Sequence, residues 1–361
     1  MALDLASVDR ALAQARWSPS AHNTQPWLVE YTGDGRIEVR ADPARALPHS
    51  DPFQRDLRLS LGAFVEALQI ALAAEGERFE REPDTRRRTG AGHGALAAEG
   101  EHFEREPASP PGSPYAVLTH RGPEAKPDLE AASLLRQRQT SRLPYSPRPI
   151  EPSALESLAE AARRHGLKLH LAPAGTPERE RWSKWLFAAS RESWLDMRAT
   201  TELRRWVRFD PEGMRAPEDG LSTHCLGLST AEAAALVLAM RPGPWRAAAK
   251  VFAAPALAEQ LAKSEVAAAE QAPCFGVLSC AADRGDAGEH GGPLLRVWLE
   301  ATRLRLAIHP LSVLLDRRGW ELAKSLQVSP RQLVLAFRLG RSVPPPRSGR
   351  RGVESFAKRI G

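Results

Sequence analysis

One segment of this chain is written twice. The stretch ALAAEGERFEREP at 71–83 returns as ALAAEGEHFEREP at 95–107, 24 residues later, with His102 standing where the first copy has Arg78. There are two copies, and a solenoid needs about three stacked units to bury a continuous core. The repeat therefore argues against a repeat architecture. It predicts a tandem duplication that set one surplus unit between a helix and a strand of an ordinary globular fold. Loops accept such insertions cheaply, because doubling a loop costs only about 0.6 kcal/mol. The run Gly90-Ala91-Gly92-His93-Gly94 inside it imitates a phosphate loop but lacks a strand before it and a helix after it, so it reads as linker.

Around the repeat, the apolar pattern alternates between helix and strand. A helix is expected over 3–16, then a hairpin of 27–31 and 37–40 across the turn Gly33-Asp34-Gly35. A helix from about Leu59 carries Leu61, Val65, Leu68 and Leu72 on one stripe, and a strand follows at 115–118. The second part repeats this grammar: helices at 128–136 and 151–165, a strand at 167–171, and a helical Arg-rich stretch holding Trp182, Trp185, Trp194 and Trp206. An irregular loop spans 210–230. Ala-rich helices run to about Ala268, followed by a buried strand at 274–280, a helix at 294–304 and a last strand at 333–339. Helices outnumber strands and separate several of them, which points to an α+β protein with a mixed sheet flanked by helices.

Composition narrows the function classes. With 361 residues, 42% of them hydrophobic, the chain can bury a sizeable core. Fifty basic against 44 acidic residues give +6, a balance that suits a small anionic ligand better than a nucleic acid. Asp4 interrupts the N-terminal region, and the longest apolar run, 233–240, is too short to span a bilayer, so neither a secretory nor a membrane protein is expected. Cys225, Cys274 and Cys280 cannot form a disulfide framework, and a reducing cytoplasm is expected. Their spacing offers no zinc site, and neither G-x-S-x-G nor a Walker A sequence occurs.

Three segments carry residue types that suit a phosphorylated, planar ligand. In the run from Pro19 through Ser20, His22, Asn23, Thr24 and Gln25 to Pro26 and Trp27, hydroxyls and amides are dense. Asn23 and Gln25 can each donate and accept, as a ring edge of alternating N–H and C=O groups requires. The same run also suits a polar turn between a helix and a hairpin. Arg138, Thr140 and Arg142 can clamp a phosphate, because charge-assisted bidentate bonds are about twice as strong as neutral ones. Read alone, they equally suit a solvated basic loop. Past the last strand, Pro344, Pro345 and Pro346 precede Arg347, Arg350 and Arg351, which can bring cations to the same phosphate or form a basic tail.

Together these segments resemble the nitroreductase superfamily of flavin mononucleotide (FMN) enzymes, and most of all its Acg-type branch, in which two nitroreductase-like halves are fused. The 19–27 run looks like the family's P-S-x-x-N-x-Q-P-W segment, and Arg138-Gln139-Thr140-Ser141-Arg142 is similar to its R-x-S-x-R phosphate motif with Thr for Ser. Arg347 and Arg350 look like its C-terminal cations, and the helix at 295–302 resembles the one before its flavin-contacting loop, here 308–312. The resemblance implies an intramolecular pseudo-dimer of halves 1–122 and 123–361, acting as a monomer with one FMN. It implies cofactor contacts from Ser20, Asn23, Gln25, Arg138, Thr140, Arg142, Pro310, Leu311, Ser312, Arg347 and Arg350. It also implies electron transfer from NAD(P)H to a nitro, quinone or similar small-molecule acceptor, with no side chain required as general acid or base. Rival readings are a flavin-sequestering protein with a closed lid over 210–230, which would place His224 and Cys225 near the mouth, and a flavin-free pseudoenzyme. Two positions depart from the family pattern: Arg305 stands where Gly is usual, and Gly352 where Pro is usual.

Overall fold

Helix α1 (Leu5–Ala15) begins where the Asp4 carboxylate accepts from the Ala6 amide, and it buries Val8, Leu12 and Ala15. The expected hairpin forms from β1 (Trp27–Thr32) and β2 (Arg36–Ala41), paired from Trp27 opposite Ala41 to Tyr31 opposite Ile37. Helix α2 (Arg55–Ala74) follows, with the stripe Leu61, Val65, Leu68 and Leu72 in the core. It is long and apolar enough to cross a membrane, yet 67% of that apolar window is buried inside the protein. The computed structural model describes residues 3–82, 113–208, 218–229, 231–232, 254–280 and 287–361.

The two copies of the duplicated segment are not described alike. Its first copy is part of the fold: 71–74 complete α2, and β3 (Glu77–Arg81) pairs antiparallel with β4 (Ala116–Pro123). Residues 83–112, which include the second copy, lie outside the described residues. Helices α3 (Leu129–Gln137), α4 (Pro152–Arg164), α5 (Pro177–Leu195) and α6 (Met197–Trp206) follow, with β5 (Leu167–Pro173) between α4 and α5. Two short strands, β6 (Val207–Arg208) and β7 (Leu221–Ser222), pair in parallel, and α7 (Thr223–Leu226) continues from β7. The irregular loop expected over 210–230 is thus ordered from 218 to 229, while 209–217 and the His224 side chain lie outside the description.

The remaining elements are α8 (Ala254–Glu270), β8 (Cys274–Cys280), α9 (Gly291–Arg303), β9 (Ala307–Pro310), α10 (Ser312–Leu326), β10 (Leu333–Gly340) and β11 (Ala357–Ile360). Three of these were not expected. Residues 308–312 are not a loop, because β9 pairs with β10 and Ser312 opens a 15-residue helix. The C-terminus is not a tail, because β11 pairs in parallel with β1. One sheet therefore has the order β11-β1-β2-β4-β3 and is mixed, and the other, β5-β8-β10-β9, is antiparallel throughout. The fold is α+β.

Helix α9 joins the two sheets. Leu295 and Leu299 face the core under the first sheet, while Leu294, Val297, Trp298 and Ala301 face the second. It crosses α2 closely: a Cβ built on Gly62 would sit 2.0 Å from the Gly288 carbonyl oxygen, and one on Gly291 would sit 2.3 Å from that of Leu59. Both neighbours are backbone, so neither position can accept a side chain without separating the helices.

Helix α9 also explains the first departure from the family pattern. Arg305 has φ +57°, its amide donates to the Thr302 carbonyl, and the Leu306 amide donates to the Ala301 carbonyl. This is a Schellman cap, whose left-handed residue is ordinarily Gly. Arg305 is exposed and does not line the cleft described below, so it blocks nothing there. Arg305→Gly is expected to stabilise the protein by about 1 kcal/mol by removing the Cβ penalty, measured by chemical denaturation. Deleting 84–107 should preserve soluble, cooperatively unfolding protein, since β3 stays intact and a ten-residue connection to β4 remains. Circular dichroism and thermal unfolding of the deletion variant check this; a collapse of the transition would mean that both copies are built in.

Candidate functional site

Three of the four residues from 22 to 25 adopt left-handed backbone: His22 at φ +48°, Asn23 at +56° and Gln25 at +52°. Such conformations cost of order 1–3 kcal/mol each outside glycine and persist where surroundings over-determine them. The surroundings here do so. The Gln25 amide donates to Ser20 Oγ at 3.0 Å, and the Asn23 amide donates to the Ser20 carbonyl at 3.0 Å. Gln25 Nε2 donates to the Glu218 carbonyl at 2.8 Å, and Gln25 Oε1 accepts from the Arg351 amide at 2.9 Å. Asn23 Nδ2 donates to the carbonyls of Gly220 and Gly349 at 3.0 and 3.1 Å. Trp27 anchors the downstream end, fully buried and stacked on Phe64 at 4.4 Å. The polar residues of this segment thus tie together three stretches remote in sequence.

Against this segment lies a cleft. From the first part of the chain it is lined by Trp17, Pro19, Ser20 and Asn23. The Arg138 motif contributes Arg136, Arg138, Gln139, Thr140 and Arg142, and the C-terminal stretch contributes Pro346, Arg347, Ser348 and Arg350, with Leu221 completing the wall. Five guanidinium groups face one another here. No carboxylate lines the cleft, and none of the five is ion-paired with an acid among the described residues.

Arg138 is the most deeply placed, 3% exposed, with its guanidinium 4.8 Å from the Trp298 ring centroid. Its Nη2 donates to the Trp17 carbonyl at 3.1 Å, while Nε and Nη1 are buried without a partner. Burial, with the Arg350 charge adding to it, pushes its pKa down to about 9. Burial likewise lowers Arg350 to about 10, and Arg350 Nε is also unpartnered. An incoming anion would reverse both penalties, because an opposite charge favours the protonated guanidinium. Thr140 is held by a parallel β-bridge to Ile308, which ties this motif to β9. Cys225 stands behind the wall, its Sγ 3.2 Å from Ser348 Oγ.

The structure brings together Ser20, Asn23, Arg138, Thr140, Arg142, Arg347 and Arg350 of the sequence-expected set. It does not bring Gln25, Pro310, Leu311 or Ser312 to the cleft lining. Gln25 is fully buried as a brace, and Arg351, the alternative terminal arginine, turns to Gln25 and Ser355 instead. Leu311 packs in the second sheet's core, its amide donating to the Ala336 carbonyl. Ser312 bonds to Asp56. Sequence reasoning missed Trp17 and Arg136. Their signal is proximity: each stands two residues before a motif residue, Pro19 and Arg138 respectively.

No family model matches the chain. The chain is 38% identical over 71 residues to the probable NAD(P)H nitroreductase PigM of a Serratia species, a match that covers 19% of this chain and 20% of that protein. Over those 71 residues the chain is similar to a nitroreductase. Among solved structures, the FMN-dependent nitroreductase NfnB of Mycobacterium smegmatis, crystallised with NADPH, is 16% identical and aligns over 64% of this chain and 97% of its own, at a TM-score of 0.39. A nitroreductase-like protein of Bacillus cereus is 10% identical over 64% and 95%, at a TM-score of 0.35.

Behind the Ser20 segment lies a buried acidic knot that the sequence did not reveal. Arg55 Nη2 lies 2.8 Å from Asp56 and 3.0 Å from Asp316, and Asp51 accepts from the Leu57 amide. Burial raises Asp316 to about 8; Arg55 opposes the shift, and Asp56 and Asp51 reinforce it. The folded state therefore holds a proton that the unfolded chain has released above the ordinary aspartate range. Stability should fall as pH rises from about 4 to about 8. Asp316→Asn should flatten that decline, as measured by denaturation midpoints across this pH range; an unchanged slope would show that Asp316 titrates normally.

Proposed function

We propose that the chain is an FMN-dependent oxidoreductase that takes electrons from NAD(P)H and delivers them to a nitro, quinone or similar small-molecule acceptor. The observation that carries this reading is Arg138: buried, with Nε and Nη1 unpartnered, beside Arg350 in a cleft with no acid in its lining among the described residues. Such a donor set fits a phosphate ester, which supplies the acceptor oxygens that these N–H groups lack. The likeness to PigM, whose matched stretch covers a fifth of that protein, supports the NAD(P)H donor.

When bound, FMN supplies the hydride chemistry. The chain's own residues bind and orient. Arg138, Arg142 and Arg350, with the hydroxyls of Ser20 and Thr140, hold the phosphate end, and Arg347, exposed at the rim, adds long-range attraction. Asn23 and Gln25 act through the backbone they brace, fixing 218–220 and 349–351 around the cleft. The cleft draws on both 1–122 and 123–361, which supports a single site in a monomer of two fused halves. Three unpaired cysteines suit a reducing cytoplasm.

A second reading has its own observation. Asp219 pairs with Arg45 at 2.8 Å and with Arg208 at 2.7 Å, and Gly220 exchanges hydrogen bonds with Asn23. Segment 218–222 is thus pinned against the site, as a flavin-sequestering protein with little turnover would require. NADH and NADPH oxidation assays with nitroaromatic and quinone acceptors separate the two readings.

Purified or reconstituted protein should show flavin absorbance at one FMN per chain. Arg138→Ala and Arg350→Ala should each weaken FMN binding by about 1.5–3 kcal/mol, the range for a charge-assisted bond. Unchanged affinity in both variants, or two flavins per chain, would overturn the assignment.

A further inference from the structure

The arginines of the cleft outnumber the charge of one phosphate. Five guanidinium groups line it, whereas a phosphate monoester carries about −1.5 to −2. With no acid in the lining among the described residues, roughly three positive charges would remain uncompensated after one such group had bound. These charges are also sorted by depth. Arg138 and Arg350 carry the buried, unpartnered nitrogens, whereas Arg136 and Arg347 are exposed.

Trp17 shows why the outer set stays together. Four guanidinium carbons lie within 6.0 Å of its ring centroid: Arg350 at 5.2 Å, Arg347 at 5.4 Å, Arg16 at 5.9 Å and Arg136 at 6.0 Å. The ring's electron-rich face attracts each cation by about 0.5–1 kcal/mol at exposed sites. It stands in for counter-ions without neutralising any charge. Side chains as long as Arg136 and Arg347 would otherwise spread into solvent to relieve their repulsion.

We infer that the cleft holds two anionic groups at once: an inner one against Arg138 and Arg350, and an outer one at the rim, where Arg136 and Arg347 converge on Trp17. The outer group is the phosphate of a second, phosphorylated small molecule. Trp17 is a positioning residue that keeps the two rim cations in place. This deepens the proposed function and rests on it only for the identity of the inner ligand.

Calorimetric titration of the cofactor-free full chain with inorganic phosphate should resolve two sites. Arg138→Lys should weaken the inner site and spare the outer one. The double variant Arg136→Ala with Arg347→Ala should weaken the outer site by about tenfold or more, the loss of one to two charge-assisted contacts, and leave the inner one in place. Both rim residues are exposed, so the double variant should fold as the parent does. FMN-loaded protein should keep one phosphate site, which the double variant should lose. A single phosphate site in the cofactor-free chain, or an outer site indifferent to the double variant, overturns the inference. If FMN fails to bind while two phosphate sites persist, the proposed function fails and this inference stands.

Discussion

The backbone contact between Gly62 and Gly291 sets the geometry on which the rest of the molecule depends. Two helices meet there without intervening side chains, so α9 can present one face to each core. Several residues of the cleft are placed relative to that crossing. Trp17, Ser20 and Asn23 follow α1, which packs with α2 on the first sheet. Arg138 lies against Trp298 of α9. A wider spacing between the helices would move the first group away from the second, and a phosphate-sized ligand tolerates little of that: a charge-assisted bond spans only about 2.7–2.9 Å.

Opposing this rigid seam is an electrostatic cost. Burial lowers the pKa of both Arg138 and Arg350, with Arg350 adding to the first and Arg16 to the second, so the cleft carries a cost in charge as well as in backbone. The left-handed residues 22, 23 and 25 add to that cost. Stability must come from elsewhere, and the three hydrophobic clusters supply it, with Trp27, Phe64 and Phe356 packed ring against ring beside the strained segment. The arrangement is that of a site prepared in advance, which spares the ligand the cost of ordering it.

Much of the fold was legible because its elements carry strong periodic signals. The stripe Leu61, Val65, Leu68 and Leu72, the hairpin around Gly33-Asp34-Gly35 and the apolar run 274–280 all formed where the pattern put them. What escaped was short, edge-located or polar. In β3 only Phe79 is buried, and β11 is polar enough to resemble a basic tail. Strand β9 is four residues long and ends in a proline, and its identity rests on β10 beside it. The site was half legible for a similar reason. Arginines spaced as 138, 142, 347 and 350 announce an anion, but the motif letters do not say that Asn23 and Gln25 direct their amides to protein carbonyls. That depends on the backbone of 218–220 and 349, hundreds of residues away.

The pairing of β11 with β1 joins Ala357 to Val29, nearly the whole length of the chain. During synthesis, β1 and its hairpin emerge early, but their outer edge stays open until 357–360 have followed. Arg347 and Arg350 arrive in that same final stretch, between β10 and β11. Contacts so distant in sequence slow folding, since the closure entropy falls due before the contact forms. The nascent protein therefore passes through a long interval as a largely built scaffold with an uncovered strand edge and an incomplete arginine cluster. Protection of that edge from other chains, and competence to take up a phosphorylated ligand, are acquired together once 347–360 have emerged.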